Sequence, residues 1–229
     1  MIQQTITVGR DVRAEARQRA AWLREDFTRR GILCVNLLSS PGAGKTSLLQ
    51  ATARHWRGRR RMAVLVGDLA TDRDAQRLAP LAPTVQLTTG GACHLELPLV
   101  ERGLERLGAL DCEFLFIENV GNLVCPASHD LAEHLRVIVL STTEGDDKPG
   151  KYPKAFRTSQ ILVVNKIDLL PHVPFSVDAA VADARAIQPQ LQSVAVSAHR
   201  EQGIADGCEI LERARSELLE NGDVHAANR

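Results

Sequence analysis

A short glycine-rich loop with one lysine and one threonine is the segment whose chemistry the sequence specifies best. The loop, 39–46 (SSPGAGKT), follows an apolar run and precedes a helical stretch. In such a loop backbone N–H groups turn toward phosphate oxygens, the lysine adds positive charge and the threonine hydroxyl binds Mg²⁺. Ser39 replaces the usual first glycine, at a position that mainly turns the chain out of the strand. The segment predicts a Walker A loop, with phosphate contacts from Gly42, Ala43, Gly44, Lys45, Thr46 and Ser47.

A second motif indicates which base the nucleotide carries. The segment 165–168 (NKID) ends another apolar run, and Ser197-Ala198 follows a later one. A carboxylate at Asp168 can accept hydrogen bonds from the N1–H and the N2 amine of guanine, whereas adenine has an acceptor at N1 and no N2 amine. The Ser-Ala pair resembles the segment that backs guanine in many GTPases. The motifs together predict a guanine site formed by Asn165, Lys166, Asp168, Ser197 and Ala198.

Carboxylates at the ends of two other apolar runs predict a magnesium site. Asp68 closes one run and Glu118 closes another. Mg²⁺ is held by oxygen ligands together with substrate phosphates. We therefore expect Thr46, Asp68 and Glu118 to hold Mg²⁺ directly or through water.

The loop after Glu118 and the loop after Asp68 are the expected sites of hydrolysis. The N–H of Gly121 can bond a γ-phosphate. Asn122 and not glutamine follows it, so Asp72 or Asp74 is expected to orient the attacking water. A helix N-cap role for these two aspartates is equally compatible with their position. The expected catalytic residues are Lys45, Asp68 and Asp72.

A cysteine and a histidine stand side by side at 93–94, after two glycines. Side chains of neighbours in a regular helix or strand point in different directions, so joint chelation needs the irregular turn that glycine permits. Cys125 lies four residues beyond Gly121. If Cys93, His94 and Cys125 meet, three ligands are too few for a closed zinc site, so the site is open or completed by a second copy. The alternative is that these cysteines are small buried apolar side chains, as expected for Cys34 and Cys208.

Short apolar runs alternating with helical stretches supply the framework for these motifs. Runs without polar alternation are typical of strands buried on both faces of a parallel sheet. The predicted class is α/β, a P-loop NTPase with a mostly parallel sheet flanked by helices and an N-terminal helix. We expect a helical extension at 1–31, a GTPase domain at 32–220 and a flexible tail at 221–229. The predicted strands are 32–38, 63–66, 85–87, 114–117, 137–140, 161–164 and 194–196.

The N-terminal helix is predicted from apolar residues spaced by three and four, and Gly31 is predicted to end it. The stripe consists of Val12, Ala16, Ala20, Leu23 and Phe27.

Composition excludes several classes of partner. The 229 residues include 28 Lys+Arg and 28 Asp+Glu, and this zero net charge argues against duplex nucleic acid and anionic membranes as partners. Aromatic residues make up 3% of the chain, too few for a base-stacking platform. No apolar run approaches the ~18 residues needed to span a bilayer, and no secretory pattern opens the chain, so we expect a cytoplasmic protein with reduced thiols.

The motifs together resemble the HypB family of hydrogenase nickel-incorporation GTPases, which are dimeric metallochaperones. The resemblance extends over roughly 32–203 and implies that Cys93, His94 and Cys125 bind nickel or zinc at a GTP-dependent homodimer interface. It further implies GTP/GDP, Mg²⁺ and Ni²⁺ (or Zn²⁺) as ligands, and HypA and the large subunit of a nickel–iron hydrogenase as partners. The matching segments are 39–46, 67–68 with 74–77, 91–95, 118–126, 143–149 with 151–153, and 165–168.

Several departures from the family leave alternatives open. Residues 1–31 contain neither Cys nor His, so nickel storage is not predicted; Glu96-Leu97 replaces the usual Asp-Ala, and His199 replaces a lysine. The alternatives are a related metallochaperone GTPase for urease or a cobalamin enzyme, a P-loop small-molecule kinase, and a non-catalytic nucleotide-dependent module.

Lysine is rare in this sequence, with 5 lysines among the 28 basic residues, and three of them lie at 148–154. Because the other two lie in the nucleotide motifs, we expect this cluster to be a switch or dimer contact near the nucleotide.

Overall fold

A sheet of seven parallel strands forms the centre of the protein, in a computed structural model that describes residues 8–227, with side chains from 14 to 220. The strand order is β3-β2-β4-β1-β5-β6-β7, and each neighbouring pair is parallel. The predicted parallel sheet is confirmed, and the strand ends differ from the predicted ones by at most two residues. The strands are β1 (Leu33–Ser39), β2 (Met62–Asp68), β3 (Thr84–Thr88), β4 (Phe114–Glu118), β5 (Leu135–Ser141), β6 (Ile161–Asn165) and β7 (Gln192–Ala195).

Helices cover both faces of the sheet because alternate residues of each strand point to opposite sides. In β1, Leu33 and Val35 pack in one hydrophobic cluster with α2 and α8, and Cys34 packs in another with α1 and α4. A third cluster lies between β5, β6 and helices α6 and α7. The helices are α1 (Val8–Arg29), α2 (Lys45–Trp56), α3 (Arg73–Leu78), α4 (Leu97–Leu107), α5 (Lys148–Lys151), α6 (Pro153–Arg157), α7 (Val177–Ile187) and α8 (Ile204–Ala227).

The N-terminal helix follows its predicted stripe only over its second half. Ala20, Leu23 and Phe27 are buried, and the helix ends before Gly31, whose φ of 67° is the left-handed conformation expected of a helix stop. The predicted helix is confirmed, but Ala16 is exposed, as are all side chains from 14 to 19, so the stripe is not buried there. The side chain of Val12 lies outside the described residues.

The first and last helices lie at the expected boundaries between the helical extension, the GTPase domain and the tail. Phe27 of α1 is buried in the same cluster as the strands, and α8 runs on through Ala227. The boundaries at 31 and 220 stay predictions. Among the described residues, no helix is long and apolar enough to cross a bilayer.

The carboxyl ends of the parallel strands bring the predicted motifs to one edge of the sheet. Ser39, Asp68, Glu118 and Asn165 are the last residues of β1, β2, β4 and β6. In open α/β sheets this edge is where ligands bind. The fold therefore positions the phosphate loop, the carboxylates and the base motif around one crevice.

Candidate functional site

The phosphate loop makes its turn through glycines that no other residue replaces without strain. Gly42 and Gly44 have φ of 74° and 96°. A Cβ on Gly44 would lie 2.5 Å from Asn165 Nδ2, so the loop packs directly against the base motif. The helix α2 begins at Lys45, and its first N–H groups therefore point toward the loop, which is an arrangement suited to phosphate.

Lys45 is buried and is held in place by a serine. Its Nζ donates to Ser39 Oγ at 2.8 Å, and Ser39 Oγ in turn donates to the carbonyl of Ser40. Burial lowers the pKa of Lys45, while the carboxylates of Glu118 and Asp74 act in the opposite direction. Ser39 is thus more than a turn at the end of the strand, because its hydroxyl orients the ammonium group. Sequence reasoning missed this, since the residue occupies a position where glycine is usual.

Glu118 forms the most distinctive electrostatic feature of the site. Thr46 Oγ1 donates to Glu118 Oε1 at 2.7 Å, whereas Oε2 is buried and has no hydrogen-bond partner among the described residues. Burial raises the pKa of Glu118 to about 7, against the opposing influence of Lys45 and Thr46. A buried carboxylate with an unpaired oxygen beside a threonine hydroxyl is a donor set that fits Mg²⁺.

Because the pKa of Glu118 is raised, the stability of the wild type relative to the Glu118→Gln variant should depend on pH. A carboxyl whose pKa is raised on folding stabilises the protein below its unfolded pKa, 4.5, and that stabilisation is lost as pH rises through about 7. In nucleotide-free protein with EDTA, the free energy of unfolding of the wild type should fall relative to Glu118→Gln by about 2–3 kcal/mol between pH 5 and pH 8. Urea unfolding at the two pH values measures this, and a pH-independent difference would contradict it.

Asp68 organises its own loop. Its Oδ1 accepts hydrogen bonds from the backbone N–H groups of Ala70 and Thr71, and its Oδ2 accepts one from the Thr71 hydroxyl. Partial burial raises the pKa of Asp68, but these hydrogen bonds outweigh it and hold the pKa below the ordinary value. Part of the hydrogen-bonding capacity of this carboxylate is therefore committed to its loop.

Asp72 and Asp74, which follow Asp68, differ in their electrostatic effect on the phosphate loop. Asp72 occupies the N-cap of α3 without a side-chain capping bond among the described residues, and Asp74 lies in the first turn, 3.4 Å from Arg77 Nη1. Asp74, unlike Asp72, contributes to the pKa shifts of both Lys45 and Glu118. Of these two aspartates, Asp74 is therefore the one whose charge affects ionisable groups at the phosphate loop.

The base motif is built around Asn165 and Asp168. Asn165 Nδ2 donates to the carbonyl of Ala43 at 3.0 Å, and its Oδ1 accepts from the N–H of Ala198 at 3.1 Å. The Asp168 carboxylate accepts a short hydrogen bond from the Ser197 hydroxyl, and this bond lowers its pKa. The structure therefore brings together the phosphate loop and both segments of the predicted guanine site.

Lys166 also contacts the phosphate loop. Its φ of 65° is left-handed, and its Nζ donates to the carbonyl of Gly42 at 2.7 Å. Its aliphatic stem approaches Gly44, where an added Cβ would lie 3.9 Å from Lys166 Cε.

Lys148 reaches the phosphate loop from the lysine cluster. Its Nζ donates to Ser40 Oγ at 3.1 Å, lies 3.2 Å from Glu144 Oε2 and stands 5.1 Å from the centre of the Tyr152 ring. Lys151, one turn further along, pairs with Asp147 at the surface. Only the first lysine of the cluster therefore contacts the loop among the described residues.

The segment after Glu118 lies directly on the phosphate loop. A Cβ added to Gly121 would lie 2.8 Å from Pro41 Cα, so glycine is needed for this approach. The next residue, Asn122, forms an isolated antiparallel bridge with Ser39. The segment after Glu118 is therefore in direct contact with the loop that would respond to a change at the phosphates.

Cys93, His94 and Cys125 meet in space. One ligand atom of each lies within 4.8 Å of the others, and Cys93 Sγ is 3.7 Å from His94 Nδ1. The contact with the Cys125 thiol raises the pKa of Cys93. The other three cysteines, Cys34, Cys112 and Cys208, are buried and free. The geometry thus assembles a soft S, N, S donor set at the surface.

Two asparagines join this cluster to the nucleotide side of the molecule. Asn122 Nδ2 donates to the carbonyl of Cys93 at 3.2 Å, and its Oδ1 accepts from the N–H of Val124 at 2.8 Å. Asn119 Oδ1 accepts from the N–H of Leu95 at 3.2 Å. Both residues were missed as functional candidates because their partners are backbone groups distant in sequence; their position between Glu118 and Cys125 was the available signal.

Comparison with known proteins identifies the family. A family model described as the CobW/HypB/UreG nucleotide-binding domain matches residues 33–195. The hydrogenase maturation factor HypB of Azotobacter vinelandii is 44% identical over 215 residues, which cover 93% of this chain and 71% of that protein. The hydrogenase/urease maturation factor HypB of Helicobacter hepaticus is 39% identical over 204 residues, which cover 87% of this chain and 84% of that protein.

A solved structure agrees with these similarities. The crystal structure of HypB from Helicobacter pylori in complex with nickel has a TM-score of 0.83 and 35% identity, covering 89% of this chain and 96% of that chain. The family model spans most of the chain. The chain belongs to the CobW/HypB/UreG family, within its HypB group of hydrogenase maturation factors.

Proposed function

We propose that the protein is a GTP-hydrolysing metallochaperone that carries Ni²⁺ or Zn²⁺ on Cys93, His94 and Cys125. The observation that carries the proposal is the segment from Glu118 to Cys125, because it contacts the phosphate loop through Gly121 and presents a thiol to the donor cluster. Nickel in the structure of the Helicobacter pylori relative supports the choice of cargo.

Hydrolysis of GTP to GDP and phosphate is assigned to the phosphate crevice. Lys45 and the N–H of Gly121 stabilise the charge that develops on the γ-phosphate oxygens, and the backbone of 42–47 cradles the phosphates. Thr46 and Glu118 are the residues that would hold Mg²⁺, with Asp68 acting through water, and the ion when bound neutralises charge on the β- and γ-phosphates.

The group that orients the attacking water is assigned to the α3 end of the site. Asp74 is preferred over Asp72 because its charge influences both Lys45 and Glu118. An aspartate here aligns the water for in-line attack and need not remove its proton in advance.

Metal binding and nucleotide state are coupled through the loop that the two sites share. Asn122 lies beside Gly121 and bonds the carbonyl of Cys93, so loss of the γ-phosphate alters the spacing between Cys93 and Cys125. Such coupling requires different metal affinities in the two nucleotide states. Three ligands leave the site open, so a second copy in a GTP-dependent homodimer completes it.

The cargo is delivered toward a metalloenzyme. The acceptor in this proposal is the large subunit of a nickel–iron hydrogenase, with HypA as a maturation partner in a cytoplasmic setting; the names of the relatives support a role in hydrogenase maturation. A urease acceptor is a second candidate because the relative from Helicobacter hepaticus is named for both enzymes.

Turnover and metal binding test the proposal together. With Mg²⁺, GTP should be hydrolysed with at least ~100-fold preference over ATP. One Ni²⁺ per chain should bind with thiolate-to-metal charge-transfer absorption that Cys93→Ala removes. Preference for ATP would support a small-molecule kinase instead, and GTP binding without turnover would support a non-catalytic interaction module.

Lys148→Ala is expected to weaken the dimer formed with a non-hydrolysable GTP analogue by about tenfold. Its ammonium group joins Ser40 of the phosphate loop to Glu144, and a charge-assisted hydrogen bond is worth about 1.5–3 kcal/mol. Analytical ultracentrifugation gives the dissociation constant. Lys151→Ala, on the same helix, is the matched control and should leave dimerisation unchanged. Equal dimerisation by Lys148→Ala and the wild type would make this lysine a solvated surface residue.

A further inference from the structure

The imidazole of His94 has a second ring nitrogen, Nε2, that does not face the cysteines. Its Nδ1 faces Cys93, but its Nε2 is buried and has no hydrogen-bond partner among the described residues. Oε1 of Glu96 lies 3.6 Å from this nitrogen, beyond hydrogen-bonding distance. A buried ring nitrogen without a partner is costly and calls for a ligand or an ion.

His129 lies beside His94 and has a ring nitrogen available for a metal. Its ring stacks on that of His94, with ring centres 3.9 Å apart and planes inclined by 21°. Its Nδ1 is 2.9 Å from the carbonyl oxygen of Cys125. A carbonyl oxygen only accepts, so Nδ1 of a neutral His129 carries the proton and Nε2 keeps its lone pair. Metal-binding histidines are usually fixed by such a bond from the other ring nitrogen.

Glu96 supplies the third donor. One ligand atom each from His94, Glu96 and His129 lies within 4.8 Å of the others. Ligands on one ion lie at most about 4.2 Å apart, since each is roughly 2.1 Å from it. Binding one ion requires the ring of His129 to turn out of its stack on His94 and the side chain of Glu96, which is 66% exposed, to move toward both.

A neutral imidazole can serve only one of the two clusters at a time. It has one lone pair, so either Nδ1 binds a metal with the cysteines or Nε2 binds one with Glu96 and His129. In the first case the Nε2–H points toward the Glu96 carboxylate, an arrangement typical of a metal-bound histidine. The two positions share a ligand and exclude each other.

We infer that His94, Glu96 and His129 form a second binding position for a divalent first-row transition-metal ion. The inference deepens the proposed function and rests on it. Nitrogen and oxygen donors are harder than the S, N, S set, so the two positions differ in metal preference. When an ion passes between them, Nε2 of His94 releases its proton and Nδ1 takes one up, solvent supplies one proton to each of the two freed thiolates, and no electron is transferred. The second position is a staging point from which the cargo leaves the cysteines.

Co²⁺ titration of the Cys93→Ala/Cys125→Ala variant, bound to GDP in saturating Mg²⁺, tests the inference. One Co²⁺ per chain should bind, detected by calorimetry, without thiolate charge-transfer absorption. Adding His129→Ala or Glu96→Gln should weaken this binding at least tenfold, whereas His172→Ala, which removes an exposed histidine, should not. GDP affinity and thermal unfolding show that each variant is folded.

Three results would overturn the second position. They are absence of Co²⁺ binding by the Cys93→Ala/Cys125→Ala variant, binding that His129→Ala does not weaken, and two ions bound at once in this region of the wild-type chain. The proposed function fails on a different observation, because it requires thiolate charge-transfer absorption in the wild type, which His129→Ala should preserve.

Discussion

Asp168→Asn should change the nucleotide preference of the protein from GTP to xanthosine triphosphate. The Asp168 carboxylate offers acceptors only, which suits the N1–H and N2 amine of guanine, whereas an asparagine amide offers one acceptor and a donor. Xanthine keeps the N1–H and has a carbonyl in place of the amine, so the amide matches it. A hydrogen bond to a charged group is worth about 1.5–3 kcal/mol, so loss of the bond to the N2 amine should lower GTP affinity roughly 10- to 100-fold.

The surroundings of Asp168 make this substitution interpretable. The Ser197 hydroxyl donates to its Oδ1, and an asparagine Oδ1 can accept the same bond, so the side chain keeps its orientation. Fluorescent GDP and xanthosine diphosphate analogues measure both affinities. Asp183→Asn, which changes an exposed aspartate of α7, is the control and should alter neither. A variant that still prefers guanine would place the base elsewhere.

Cys125→Ala should reduce Ni²⁺ affinity at least 100-fold. The three donors at Cys93, His94 and Cys125 are the minimum for tight binding, and losing even a residue that merely supports a metal ligand costs about 10- to 100-fold. The remaining pair, a thiolate and an imidazole, holds the ion less rigidly. Competition with a chromophoric chelator gives the dissociation constant.

Cys208→Ala is the matched control for this metal measurement. Burial raises the pKa of Cys208 to about 12, so its thiol stays protonated, and only the thiolate is a metal ligand. The substitution should lower stability slightly through a small cavity and leave Ni²⁺ affinity unchanged. A loss of affinity in the Cys208 variant, or none in the Cys125 variant, would contradict the assigned ligands.

The sheet and the nucleotide motifs were predictable because their signals are local. Runs such as 161–164 are apolar throughout, and a strand buried on both faces needs that pattern. Gly42 to Thr46 and 165–168 each carry their chemistry within a few residues. Their meeting at one crevice follows from parallel strands ending at the same edge.

The contacts between distant segments were not predictable in the same way. Nothing local indicates that the Asn122 amide reaches the carbonyl of Cys93, or that Lys148 reaches Ser40, because both depend on how loops return across the edge of the sheet. The preference for Asp74 over Asp72 likewise rests on its electrostatic effect on Lys45 and Glu118, which residue type alone does not indicate. At Ala16 the stripe has helical spacing but is exposed, because periodicity does not specify where packing stops.

The affinity for Ni²⁺ in two nucleotide states tests the coupling between hydrolysis and cargo most directly. The wild-type protein is titrated with Ni²⁺ in the presence of GDP and, separately, of a non-hydrolysable GTP analogue with Mg²⁺. Coupling through the segment from Gly121 to Cys125 predicts dissociation constants that differ by about tenfold or more. Equal dissociation constants in the two states would contradict it, because a ligand that binds both states equally shifts neither.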